Sequence, residues 1–157
     1  MAFRPLSPES GPPVNQGAVL RRPVVAIGHP IGAKLALPDR PVIAFVGDGS
    51  AMYTCQALWT AARYRIDVIF VILNNTSYRI LKQRVNALRG HATQTDIYVG
   101  MDLVDPAVDY VGLARSLGIA AERARTVAEA TDLVGKGLKG GDALLIDVTL
   151  DRSFKPV

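Results

Sequence analysis

The sequence predicts an α/β fold, with a mostly parallel sheet flanked by helices in a single domain. Two stretches, PVIAFVG (41–47) and VIFVILNN (68–75), are short, continuously apolar and rich in β-branched residues, as buried strands are. The helix-forming stretch between them completes a βαβ unit, whose crossover is right-handed and whose strands are parallel. A third strand, ALLIDVTL (143–150), and further helices alternate along the chain, which is typical of the α/β class.

Five stretches have the composition of helices. We predict them at residues 31–37, 50–64, 78–88, 105–118 and 126–141. The stretch 50–64 lacks glycine and proline and starts with a serine, so it should form one helix of about four turns. Residues 89–104 are interpreted as a long loop, and the run from Ala120 to Leu138 as ordinary scaffold.

Two of these helices carry signals at their ends. In the fourth, Asp105 is expected at the N-cap, Pro106 at the first helical position and Gly118 at the stop. The fifth begins with a capping box formed by Thr126 and Glu129 and ends in a pair of glycines.

Composition and charge exclude several functional classes. The chain has 157 residues, which suits one domain with a hydrophobic core. Its net charge is +4, but its basic residues are scattered and no nucleic-acid motif is present, so we expect no nucleic-acid partner. No apolar run reaches the length of a membrane span, and the single cysteine, Cys55, cannot form an internal disulfide. We therefore expect a cytoplasmic protein with no membrane partner, an irregular leader at residues 1–23 and one domain at residues 24–157.

Polar residues follow the first two predicted strands at the point where each strand ends. Asp48 comes directly after the first strand, within GDGS, and Asn74 and Asn75 close the second. Ligands of open parallel sheets bind beyond the carboxyl ends of the strands. If the two strands are adjacent, these side chains open onto the same crevice.

The chemistry of these groups fits Mg²⁺ and a diphosphate. Mg²⁺ prefers oxygen ligands and is usually bound through one or two carboxylates together with phosphate oxygens. A single carboxylate, Asp48, with a neutral amide oxygen completes the shell without repelling a charged diphosphate. Gly47 and Gly49 should let the backbone bend sharply and approach the anion, and a helix starting at Ser50 should point its free N–H groups at it.

The GDGS motif followed by NN at this spacing resembles the signature of thiamine-diphosphate-dependent enzymes. The flanking segments GAKLALPDRPVIAFVGDGSAMYT and ALWTAARYRIDVIFVILNNTSY are similar to the C-terminal cofactor-binding domain of benzoylformate decarboxylases and acetolactate-synthase-like proteins. The resemblance extends from Ile31 to the C-terminus. It implies that Asp48 and Asn75 give side-chain oxygens to Mg²⁺ and that Ser77 gives its backbone carbonyl.

The same resemblance implies a set of cofactor contacts. The residues expected to bind thiamine diphosphate are Gly47, Gly49, Ser50, Ala51 and Tyr78. Thr76 and Arg79 stand where many family members have glycine, which leaves the conformation of this loop open.

The implied activity is decarboxylation or carboligation of a 2-oxo acid, with thiamine diphosphate and Mg²⁺ as cofactors. Catalysis would require a pyrimidine-binding domain from another chain, in a homo-oligomer or with a separate partner, and no catalytic residue is assigned here. The segment RRPVVAIGHPIGAKLA departs from the family pattern, so we expect a chain truncated at its N-terminal side. The alternative is a non-catalytic remnant that folds but binds cofactor weakly or not at all. A nicotinamide dinucleotide site fits poorly, because it needs G-x-G-x-x-G and an acidic residue where the asparagines stand.

Other conspicuous side chains have simpler interpretations. Asn74 is expected to bond the loop backbone, and His29 and His91 to lie on the surface. Cys55, Trp59 and Tyr64 are interpreted as packing groups of one helix. The remaining set consists of basic residues after the second strand, expected on a solvated helix face with Arg79 within reach of the diphosphate: Arg79, Lys82, Arg84 and Arg89.

Overall fold

The computed structural model describes residues 26–154, which contain seven helices and four strands. The elements, in chain order, are α1 (Gly28–Ala36), β1 (Val42–Gly47), α2 (Asp48–Ala51), α3 (Ala57–Tyr64), β2 (Val68–Asn74), α4 (Arg79–Ala87), α5 (His91–Thr95), α6 (Tyr110–Ser116), β3 (Ala120–Ala124), α7 (Val127–Gly140) and β4 (Leu144–Thr149). The leader predicted at residues 1–23 lies outside the described residues.

The four strands form one sheet in the order β1-β2-β4-β3, and every neighbouring pair is parallel. β2 therefore lies between β1 and β4. The register sets Gly47 beside Leu73 and Asn74 beside Thr149, so the carboxyl ends of three strands lie at one edge. The predicted α/β class and the three predicted strands are confirmed.

Helices cover both faces of the sheet. On one face, Val46, Phe70 and Leu145 belong to a core cluster shared with α1, α3 and α6. On the other face, Val71 and Ile146 pack against α7. Full burial of a side chain of this size contributes about 1.5–3 kcal/mol, so β2, apolar on both faces, anchors the sheet.

The single helix predicted at residues 50–64 is wrong, because α2 ends at Ala51 and α3 begins at Ala57. The buried Tyr110 hydroxyl donates to the Asp48 carbonyl oxygen at 2.9 Å. In a continuous helix the Met52 N–H would bond that oxygen, whereas here it bonds the Ser50 carbonyl. Ser50 also does not mark the helix start, since α2 begins at Asp48 with Gly47 at the N-cap.

The helix start predicted at Asp105 is wrong as well, because α6 begins at Tyr110 with Asp109 at its N-cap. Asp105 has φ +54°, whereas an N-cap residue has an extended backbone. The predicted stop at Gly118 fits, since this glycine has φ +85° directly after the end of α6.

The run from 120 to 138 contains a strand that was missed. β3, with the sequence AAERA, is rich in helix formers and becomes a strand through its pairing with β4. The loop predicted at residues 89–104 similarly contains α5.

The ends of α7 follow the sequence signals. The Thr126 side chain accepts a hydrogen bond from the Glu129 N–H at 3.2 Å, and Gly141 ends the helix with φ +72°. The Glu129 carboxylate accepts from the N–H of Arg125, one residue earlier than a standard capping box.

Within residues 26–154, no helix is long and apolar enough to cross a membrane.

Candidate functional site

The turns after β1 and β2 meet at the carboxyl edge of the sheet. Asp48 Oδ2 accepts hydrogen bonds from the backbone N–H groups of Asn75 and Ser77, each at 3.1 Å. Asp48 Oδ1 accepts from the N–H of Gly49 at 2.9 Å. The two motifs separated by 27 residues of sequence are therefore in direct contact.

The Asp48 carboxylate is buried without a cationic neighbour. Its residue is only 2% exposed, and no lysine, arginine or histidine among residues 26–154 forms an ion pair with it. Burial raises the pKa of the Asp48 carboxyl, and hydrogen bonds from Gly49 and from residues 75–77 offset this only in part. A buried negative charge held only by neutral donors is a position that a cation would stabilise.

Asn75 and Ser77, whose N–H groups bond Asp48, each have an oxygen atom that accepts no hydrogen bond from residues 26–154. Asn75 Oδ1 is buried, and no donor reaches it within the described part of the chain. The Ser77 carbonyl oxygen likewise accepts no hydrogen bond from residues 26–154, while the Ser77 hydroxyl donates to Met101. Carboxylate, amide and carbonyl oxygens are the ligands that Mg²⁺ prefers. The donor set therefore fits a hard cation.

No cluster of three or more His, Cys, Asp or Glu residues suited to a metal exists among residues 26–154. A cation at this edge would therefore be held by one carboxylate and neutral oxygens. That arrangement leaves room for a second, negatively charged ligand to complete the shell.

Gly49 is constrained by its contact with another side chain. Neither Gly47 nor Gly49 has a positive φ, so a left-handed backbone conformation is not what requires glycine in this turn. A Cβ on Gly49 would lie 2.5 Å from two ring carbons of Tyr78, whereas a Cβ on Gly47 would meet only Ser50 Oγ at 3.9 Å. The Tyr78 ring thus packs directly on the backbone of the first turn and ties it to the second.

The remaining predicted cofactor residues lie around this turn. Ser50 is half-buried within α2, beside Gly47. Ala51 is fully buried in the hydrophobic core.

Tyr110 is a site residue that sequence reasoning missed. It is 2% exposed, and its hydroxyl donates a hydrogen bond to the Asp48 carbonyl oxygen, which holds the turn. Burial, followed by the nearby Asp48 charge, raises the pKa of the Tyr110 hydroxyl, so the group stays a neutral donor. Its position within an ordinary helical pattern gave no signal of this role.

Asn74 turns away from Asp48 towards β4. Its Nδ2 donates to Asp147 Oδ1 at 2.9 Å, and its Oδ1 accepts from the Thr76 N–H at 3.1 Å. The predicted bond to loop backbone is therefore confirmed. Asp147 is 1% exposed, and Arg123 Nε contacts its second oxygen at 3.1 Å. A charged residue inside the apolar strand LLIDVT was the available signal for this pair.

Thr76 and Arg79, which stand where many family members have glycine, both form hydrogen bonds that hold the loop after β2. Thr76 is buried with φ +55°, a left-handed conformation that glycine adopts more easily than a β-branched residue. Its N–H bond to Asn74 and its hydroxyl bond to the Asn75 carbonyl hold it there. Arg79 donates to the carbonyl oxygen of Asp151, so the guanidinium lies against the C-terminal segment.

Other side chains differ from their simple interpretations. Lys82 is buried and its Nζ lies 2.5 Å from Asp102 Oδ1, so it is not part of a solvated face. Trp59 and Tyr64 are 55% and 69% exposed, so their interpretation as packing groups is wrong. His29 and His91 are exposed as expected.

The family of the chain follows from a comparison with known proteins. Residues 19–148 match the model of the thiamine pyrophosphate enzyme family, C-terminal TPP binding domain. The chain belongs to this family. Thiamine pyrophosphate (TPP) is another name for thiamine diphosphate, so the resemblance of the GDGS and NN motifs is confirmed.

Relatives of this TPP-binding domain are longer proteins. The chain is 36% identical over 146 residues to the "Putative acetolactate synthase large subunit IlvX" of Mycobacterium tuberculosis, covering 90% of this chain and 28% of that protein. It is 37% identical over 118 residues to the benzoylformate decarboxylase of Pseudomonas aeruginosa, covering 75% of this chain and 21% of the relative.

A solved structure shows the same fold. The thiamine diphosphate-dependent 4-hydroxybenzoylformate decarboxylase of Rhodococcus jostii RHA1 superposes with a TM-score of 0.70 at 35% identity, over 80% of this chain and 23% of that one. The TPP-binding domain described here therefore spans between a fifth and a third of the length of these proteins.

Proposed function

We propose that the chain binds Mg²⁺ and the diphosphate of thiamine diphosphate at the joined turns after β1 and β2. The observation that carries this proposal is the buried Asp48 carboxylate, which forms no ion pair with residues 26–154. It lies against the turn that holds Asn75 Oδ1, an oxygen with no donor in the same range. Asp48, Asn75 and the Ser77 carbonyl would hold the ion. Gly47, Gly49, Ser50 and Ala51 would supply backbone contacts to the diphosphate, with Tyr78 beside it.

The charges support this arrangement. Mg²⁺ would neutralise Asp48 and add positive charge at the edge of the sheet, which attracts the diphosphate. The neutral Asn75 amide and Ser77 carbonyl would complete the shell without repelling the anion. Tyr78 and Tyr110 would keep the Asp48 turn in place by contacts that exist before any ligand binds.

In the complete enzyme we propose decarboxylation or carboligation of a 2-oxo acid. When bound, thiamine diphosphate supplies a carbon nucleophile and an electron sink for the bond that breaks. The residues of this chain would contribute binding and orientation, since their described groups are one carboxylate, amides and backbone atoms. The pyrimidine-binding domain would come from a partner chain, as a second copy of a longer protein or a separate subunit.

Exposed apolar side chains support a partner surface. Several large ones lie on residues 52–64 and on the segment from α4 to Val99, beside the joined turns in sequence. They are Met52, Tyr53, Trp59, Tyr64, Ile80, Leu81, Leu88, Ile97 and Val99. We propose that they form one contiguous patch, as is typical of interaction surfaces.

Calorimetric titration of the 157-residue chain with thiamine diphosphate tests the proposed Mg²⁺ and diphosphate site. With Mg²⁺ we expect micromolar binding that chelation by EDTA abolishes. Asp48→Ala should weaken it roughly tenfold to a hundredfold, because the only charged ligand is lost. Asp132→Ala removes an exposed carboxylate of α7 and should leave the affinity unchanged.

Two results would contradict the proposed Mg²⁺ and diphosphate site. One is cofactor binding of unchanged affinity in Asp48→Ala or in the absence of a divalent ion. The other is the absence of binding at millimolar cofactor, which would favour the non-catalytic remnant.

Sedimentation of the chain over a range of concentrations tests the partner surface. We expect self-association that Trp59→Lys weakens, while Lys136→Glu, an exposed change on α7, leaves it intact. A monomer at every concentration would leave a separate pyrimidine-domain chain as the proposed partner, and loss of self-association in both variants would contradict the assigned surface.

A further inference from the structure

A second crevice opens at the same edge of the sheet, on the other side of β2. It is a cavity of about 410 Å³ lined by the ends of β2, β3 and β4 and by the loop before α6. Asn74 and Thr76 line it, whereas Asp48 and Asn75 do not. It is therefore separate from the proposed Mg²⁺ site.

The positively charged residues that line this cavity outnumber the negatively charged ones. Three arginines and two aspartates line it: Arg123, Arg125, Arg152, Asp109 and Asp147. Both aspartates pair with the same arginine, since Arg123 Nε lies 3.1 Å from Asp147 and Arg123 Nη2 lies 3.2 Å from Asp109. Both carboxylates are thus paired with Arg123, and Arg125 and Arg152 carry the remaining positive charge.

Arg125 and Arg152 have no partner for their guanidinium groups within residues 26–154. Only the backbone N–H of Arg125 is engaged, by the Glu129 carboxylate. Neither guanidinium forms an ion pair in the described part of the chain. Guanidinium groups bind phosphate and carboxylate through paired N–H donors, so two of them on one cavity favour an anion.

Two other residues that line the cavity have a different character. Asp109 is exposed, with only one of its oxygens bonded to Arg123, and Thr149 adds a hydroxyl group. These groups can accept hydrogen bonds from, or donate them to, the hydroxyl groups of a ligand. A volume of 410 Å³ also exceeds what a free phosphate needs and falls within the usual range for small-molecule sites.

We propose that this cavity binds a hydroxylated phosphate monoester. The phosphate lies between Arg125 and Arg152, and the hydroxyl groups of the ligand face Asp109 and Thr149. Arg123 stays paired with the two aspartates and fixes the shape of the site. This proposal does not depend on the binding of thiamine diphosphate or Mg²⁺.

Titration of the isotope-labelled 157-residue chain, followed by amide chemical shifts, tests the site. The probes are glucose 6-phosphate, inorganic phosphate and glucose, all without Mg²⁺. We expect glucose 6-phosphate to bind more tightly than inorganic phosphate, glucose not to bind, and the shifts to cluster at residues 123–125 and 149–152. Arg125→Gln and Arg152→Gln should each weaken binding at least roughly tenfold, because each removes a charged hydrogen-bond donor.

Two controls separate this site from general charge effects and from the proposed Mg²⁺ site. Lys136→Gln and Lys139→Gln remove the same charge from exposed positions of α7 and should leave the affinity unchanged. Asp48→Ala should also leave it unchanged, while weakening metal-dependent cofactor binding.

Three results would overturn the proposal. Equal affinity for glucose and glucose 6-phosphate would remove the role of the phosphate. Equal weakening by the lysine and arginine variants would reduce the effect to surface charge. Loss of binding in Asp48→Ala would assign the ligand to the other crevice.

Discussion

Two carboxylates lie buried at the carboxyl edge of this sheet, one on each side of β2, and they are stabilised differently. Asp147 is 1% exposed and has both an amide donor from Asn74 and a guanidinium from Arg123. Asp48 is 2% exposed and has three backbone N–H donors but no ion pair with any residue in the range 26–154. The first carboxylate is neutralised within the fold, whereas the second has no ion-pair partner among residues 26–154.

The two adjacent asparagines contact different carboxylates. Asn74 hydrogen-bonds Asp147 on the β4 side. Asn75 bonds Asp48 on the β1 side through its backbone, and its side-chain oxygen has no hydrogen-bond partner in the described part of the chain. Asn74 ends β2 and Asn75 follows it, so two neighbouring residues contact carboxylates from the elements on either side of β2.

Removing the Arg123 guanidinium, which neutralises Asp147, should have the largest effect on stability. Arg123→Gln leaves Asp147 buried with only the Asn74 donor, and we expect a loss of about 1–3 kcal/mol in the free energy of unfolding. The half-exposed Arg123 side chain keeps this below the full cost of a buried pair. Urea unfolding measures it.

The second change Asp147→Asn, made on top of Arg123→Gln, should recover part of that loss, since it removes the unpaired charge. Unchanged stability in Arg123→Gln would show that Asp147 needs no cation, and the contrast with Asp48 would then fail.

The two asparagines should separate stability from binding. Asn75→Ala should weaken Mg²⁺-dependent binding of thiamine diphosphate roughly tenfold with little change in the stability of the free chain, because no donor among residues 26–154 bonds the Asn75 side-chain oxygen. Asn74→Ala should lower that stability by about 1–2 kcal/mol, because two hydrogen bonds disappear. Calorimetry and urea unfolding of both variants measure these effects, and a reversed pattern would contradict the assignment of the two crevices.

The smallest expected effect is the pH dependence that Asp48 gives to the free chain. Its folded pKa is raised above the ordinary value of 3.8, so its contribution to stability is fully present below that value. The contribution is lost as the pH rises through the folded pKa, since the charged form is buried without a cation. The difference in free energy of unfolding between the native chain and Asp48→Ala, measured from acid to neutral pH without Mg²⁺, should therefore fall. A difference that rises with pH would mean that the N–H donors outweigh burial.

Sequence reasoning located the first crevice because the signals are local. The parallel strands end in GDG and NN, and their carboxyl ends lie together in any right-handed βαβ unit. The strands themselves were predictable from continuous apolar runs. The residues assigned to the metal and to the cofactor stay predictions, although Asp48, Asn75 and Ser77 are in contact as expected.

The rest depends on contacts between distant residues. β3 becomes a strand through its pairing with β4, against the helical preference of its alanines. The break between α2 and α3 accompanies a hydroxyl that comes from α6. The pairing of Arg123 with Asp147 joins two strands whose adjacency no local pattern reveals.

The bond from Tyr110 to the Asp48 carbonyl spans 62 residues of sequence. A contact of such long range forms only after the intervening chain has closed its loop, so it belongs to the slower, topology-limited part of folding. The turn that carries Asp48 therefore acquires its final shape only when α6 docks. Competence for ligand binding becomes a property of the finished fold, and a partly folded chain, even with β1 and β2 paired, would lack it.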